Sequence, residues 1–170
     1  QMSKLTSTQL GALGTAQIEA LTTAQAAVLT TAQAAGLSTA QISRLEAADQ
    51  AQLSTAVIAG LTPAQLGALS AQQIADLTTT QSAALTATQA AGLTTAQLTA
   101  METADFAQLS TGAVTALTTA QVAVLTGDQI AVLSTTQLAK ISSSQLAAIG
   151  TTPIQSLTTT QAAALTATQA

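Results

Sequence analysis

Residues 21–36 read LTTAQAAV-LTTAQAAG, and the whole chain divides to the same eight-residue measure. Upstream lie LTSTQLGA (5–12) and LGTAQIEA (13–20); downstream come LSTAQISR (37–44), LEAADQAQ (45–52) and LSTAVIAG (53–60), and so on to LTATQA (165–170). No insertion breaks the register. Position 1 is Leu, or Met101, Ile141 and Ile149. Position 2 is mostly Thr or Ser, position 5 mostly Gln, position 6 Ile, Leu, Val or Ala, position 7 mostly Ala, and position 8 varies. Gln1–Lys4 fit the last four positions of a preceding unit and Ala170 falls at position 6. The reading is one continuous octapeptide array over residues 1–170, expected to be a segment of a longer chain because neither end carries a polar capping repeat.

The octad cannot be wound as one long helix. An α-helix advances about 100° per residue, so eight residues overshoot two turns by about 80° and the Leu column would spiral away. Something must break the helix once per unit. Thr or Ser at position 2 with Gln three residues later is a capping box: the hydroxyl accepts the N3 amide and the Gln reaches back to the N-cap amide. Thr22 with Gln25, Thr30 with Gln33, and Thr118 with Gln121 are clear instances. Positions 1 and 6 are then the two halves of a hydrophobic staple, which makes Leu21, Leu29, Leu61, Leu117 and Leu125 core residues. Pro63 sits at N1, where proline is favoured. Lys4, Arg44 and Lys140 all fall at position 8, the dipole's negative end. Gly at position 8, as in Gly36, Gly60 and Gly92, reads as relief at the helix C-terminus.

These signals predict one short helix per unit, over roughly positions 3 to 8, with a turn at Leu-Thr. So short a helix is marginal alone, so successive units must share a core. The expected fold is all-α: a repeat solenoid of very short helices. The alternative is a β-solenoid, favoured by abundant Thr and short units. Against it stand the lack of period-two alternation and the poor strand propensity of Ala and Gln.

Composition narrows the function. Charged residues are 6% and Phe106 is the sole aromatic, against about 25% charged in ordinary globular chains. A net charge of −4 with three basic residues lacks the basic footprint that nucleic acid requires. Thr, Ser and Gln recur in every unit, so no run is apolar enough to span a membrane. Without His, Cys or Tyr there is no nucleophile with its base, and the expectation is no enzyme and no cofactor.

Two units depart from the rule together. LEAADQAQ (45–52) and METADFAQ (101–108) place an acid at position 2 and Asp at position 5, and the unit after each lacks the Gln, having Val57 and Ala113 instead. They lie seven octads apart, within larger blocks near 21–76, 77–156 and 157–170, whose unequal lengths suggest growth by duplication. A corner or a lateral contact at each special unit is the physical expectation, with Phe106 as a possible contact residue. The pairs Glu46/Asp49 and Glu102/Asp105 are weak calcium candidates, since Ca²⁺ takes about six to eight oxygens. Acids favoured in a helix's first turn are the plainer explanation.

The run L-[TS]-T-A-Q-[VIA]-A-[AV], at 21–36 and 117–124, resembles octapeptide arrays in long bacterial secreted or surface proteins, some labelled as adhesion or haem-utilisation proteins. The resemblance implies an exported protein, extracellular or at the bacterial cell surface. Haem binding does not carry over, because only Met2 and Met101 remain as even weak iron ligands. Two structural roles follow as expectations. One is a self-assembling filament or matrix fibre whose partner is itself; the other is the monomeric stalk of a surface adhesin.

Overall fold

The computed structural model describes residues 2–169 as a helical solenoid, with no strand among them. After a short 3-10 turn at Met2–Lys4, twenty α-helices follow, one per octad, from Ser7–Gly11 to Thr159–Ala163. Each begins at position 3, as expected. Most end at position 6 or 7, sooner than position 8. Arg44 therefore lies beyond the C-cap Ser43, and Lys140 beyond Ala139, so neither cation belongs to a helical last turn.

The break between units is local. The position 2 residue before each of the twenty helices is an N-cap with extended backbone, φ between −61° and −93° and ψ between 146° and 163°. The hydroxyl of Thr118, for example, accepts from Gln121 N at 3.2 Å, while Gln121 Oε1 accepts from Thr118 N at 2.7 Å. Thr22–Gln25 and Thr30–Gln33 close the same reciprocal pair. Thr118→Ala removes one half of it and is expected to lower stability by about 0.5–2 kcal/mol, read as a fall in urea midpoint with unchanged slope.

Repeating one corner every eight residues closes the chain into a coil of three octads, and helices three units apart stack. The first face stacks Ser7–Gly11, Thr31–Ala35, Thr55–Gly60, Thr79–Ala83, Thr103–Phe106, Gly127–Ala131 and Thr151–Ile154. The second stacks Thr15–Glu19, Thr39–Ile42, Pro63–Gly67, Ala87–Gly92, Thr111–Thr115, Thr135–Leu138 and Thr159–Ala163. The third holds Thr23–Ala26, Ala47–Gln50, Ala71–Ala75, Thr95–Ala100, Thr119–Val122 and Ser143–Ala148. The result is a three-sided rod.

The interior is built from positions 1 and 6. Leu29, Leu61, Leu117 and Leu125 are buried; Leu21, in the first coil, is half-buried against the same core. Phe106 is 0% exposed. This corrects the lateral-contact expectation: position 6 points inward, so the large ring fills the axis of the rod. It lies one coil above the small Ser82 on its own face, so the large ring takes up the space that the small residue leaves.

Small residues at position 8 have a packing reason different from C-terminal relief. No residue among those described has a positive φ. Instead, position 8 lies on position 3 of the coil below. A Cβ on Gly60 would sit 2.1 Å from Thr31 Cγ2, and one on Gly36 would sit 2.8 Å from Ser7 Cβ. The glycines mark where coils touch most closely.

Candidate functional site

The feature that unites the rod is a glutamine ladder. The capping box uses only the carboxamide oxygen of each position 5 Gln, which leaves the NH₂ free to donate. It donates to carbonyls of the coil below, 28 residues back and, in most units, 30 or 31 residues back as well. Gln65 donates to Leu37 O at 2.7 Å and to Ala34 O at 2.9 Å. Gln89 donates to Leu61 O and Ile58 O, each at 2.8 Å. Gln97 donates to Leu69 O at 2.7 Å and Leu66 O at 3.0 Å. Thirteen glutamines among the described residues make the bond 28 residues back. Of the expected capping residues, Gln33 and Gln121 also tie coils. One side chain thus starts its own helix and satisfies the backbone of the coil beneath it, in a dry interior where unpaired carbonyls are costly.

The sequence leaves room for this second role, a bond from a fraction of the glutamines to an adjacent coil or chain beside the cap, and it carries a further signal. A capping box accepts Glu as readily as Gln, yet no unit has Glu at position 5. Only Gln both accepts and donates.

Gln9, Gln17 and Gln25 are exposed, unlike Gln33, Gln41 and Gln65, which are 3%, 4% and 3% exposed. The Oε1 atoms of Gln9 and Gln25 cap their own helices. Leu5, Leu13 and Leu21 towards one end of residues 1–170, and Ile154, Leu157 and Leu165 towards the other, are half-buried against the core.

Inside the rod the ladder is broken where the sequence is anomalous. Asp49 and Val57 occupy consecutive position 5 sites; so do Asp105 and Ala113. All four are buried. Pro153 interrupts it once more. Seven octads are not a whole number of coils, so the first special unit lies on the third face and the second on the first. They do not line one edge of the rod.

The calcium candidates also come apart. In each pair the Glu is an exposed N-cap without a side-chain capping bond, while the Asp is turned inward at 2% exposure for Asp49 and 3% for Asp105. No group of three or more His, Cys, Asp or Glu side chains assembles among the described residues. Burial raises the pKa of both Asp carboxyls above the ordinary 3.8, and the neighbouring Glu46 or Glu102 raises it further.

No pocket opens among the described residues, and no helix is long and apolar enough to cross a membrane. The outer surface is mostly Thr, Ser and Ala, with Val28 and Val124 its exposed large apolar residues, both at position 8 of the third face.

Against known families, the model of the ALTTAQ repeat matches three times, at residues 2–39, 42–79 and 98–135, together well over half the chain. The starts of the three matches are separated by whole multiples of eight residues, so they share the octad register. No curated protein matches the chain, and no solved structure does.

Proposed function

The chain belongs to the ALTTAQ repeat family, and from that premise we propose that it serves a mechanical role: an extracellular rod, at the bacterial surface or in its matrix, that assembles with copies of itself into a filament. The observation that supports this reading is the uniform rod: coil after coil repeats one glutamine tie over one apolar core, under an outer surface of mostly Thr, Ser and Ala. A contact between unlike patches of two copies generates an open filament when its rotation does not close a ring. Low surface charge, 6% of residues, leaves little repulsion to prevent it. No catalytic role is assigned in this reading.

Electron microscopy of the purified array at micromolar concentration tests the proposal. The expected result is filaments of uniform width. Dispersed single rods from the unaltered chain would overturn it and move the reading to a monomeric adhesin stalk.

A further inference from the structure

The two breaks in the ladder are alike in composition as well as in form. At each, a carboxyl replaces the Gln and an apolar side chain replaces the next one. By register, Asp49 stands over the carbonyls of Ile18 and Leu21, and Asp105 over those of Ile74 and Leu77. These are the atoms that lie 31 and 28 residues back, where a Gln such as Gln97 donates. Val57 and Ala113 bring no polar group. In each break the carboxyl is therefore the one position 5 side chain able to donate to the coil below, and it donates only when protonated. Asp49 Oδ2 is buried without a partner, as is the Oε1 of its neighbour Gln50. Gln50 itself donates upward to Gln73 O, a tie that spans the first break from position 6.

The charged surroundings offer no cation to hold these carboxyls ionised. Around Asp49, its own N-cap Glu46 is exposed, Thr23–Ala26 below contributes no titratable group, and Ala71–Ala75 above ends at Asp76, engaged by Gln72. Arg44 is exposed on the preceding unit. Around Asp105 are the exposed Glu102, nothing titratable on Thr79–Ala83, and the exposed Asp128 on Gly127–Ala131.

We propose that the two breaks are proton-operated seams: protonated Asp49 and Asp105 stand in for the missing glutamine donors and hold adjacent coils closed, and ionisation loosens the rod at those two places. The stabilisation is fully present below the ordinary carboxyl pKa of 3.8. It is lost as pH rises through the higher value of the folded state, since the folded protein there holds protons that the unfolded chain releases.

The test compares thermal melting and amide hydrogen exchange of the full chain from about pH 8 to about pH 4.5, before and after Asp49→Gln with Asp105→Gln. Glutamine restores the array's own residue, so the variant folds. The expected result is a Tm several degrees higher at the acid end for the unaltered chain, with slower exchange over residues 45–60 and 101–116. The double variant is expected to be nearly independent of pH and more stable near neutrality. Acidification also reduces the overall charge of −4, so a second variant, Asp76→Asn with Asp128→Asn, removes the same charge at the surface. If the Gln variant keeps the pH dependence of the unaltered chain, or the surface variant abolishes it, the seams are not proton-operated.

Discussion

Replacing Phe106 by alanine is expected to lower stability by about 3–5 kcal/mol, with proteolysis beginning between residues 101 and 116. The ring is wholly buried and compensates for two small residues at the same register of the coil below, Ser82 and Ala90, which are buried as well. Ser82 Oγ has no hydrogen-bond partner, so nothing polar would rescue the void. Beside this break the ladder is tied through Gln97 before it and Gln121 after it. Phe106→Leu, which refills most of the volume, should cost about 1–1.5 kcal/mol. Denaturant titration of the two variants gives the comparison. Equal losses would mean that the site collapses freely and that the ring is not a filler.

Substituting Gln97 by glutamate is the other large effect. One carboxamide there accepts from Thr94 N at 2.8 Å and donates to Leu66 O, Gly67 O and Leu69 O. Glutamate keeps the cap and inverts the other half, setting a buried carboxylate against three carbonyl oxygens. The expected loss near neutral pH is about 3–5 kcal/mol, partly regained on acidification as the side chain becomes a donor. Gln97→Ala should lose about 2–3 kcal/mol at every pH, because it leaves the same carbonyls unpaired without adding a charge. Urea melts at two pH values separate the variants, and a pH-independent loss for Gln97→Glu would show that the donor half of the carboxamide contributes nothing.

The fold class was legible because its decisive signals are local. Thr30 and Gln33 are three residues apart, and their bonds set the start of a helix whatever surrounds them. The same locality explains what was missed. The number of octads per coil depends on the angle turned at each Leu-Thr corner, and no residue type encodes that angle. Partners 28 or 31 residues away lie outside any pattern of period eight, so the sequence offers a bond to an adjacent coil as a second use of the glutamines without naming Leu37 or Ala34 as the acceptors of Gln65. Phe106 and the Asp residues misled for a related reason. Aromatic and charged side chains in a small-residue array read as surface features, but positions 5 and 6 face inward regardless of what occupies them.

The breaks also determine how the rod can flex. Around the first, the ladder stays tied on the second face, through Gln41 and Gln65. Around the second it stays tied on the third face, through Gln97 and Gln121. Each break would therefore act as a hinge whose leaf is a different side of the prism. Two hinges sharing one leaf would fold the rod in a single plane, like a jointed ruler. With the leaves on different sides, small openings at both swing the far end out of plane, so it sweeps a patch of a sphere instead of an arc.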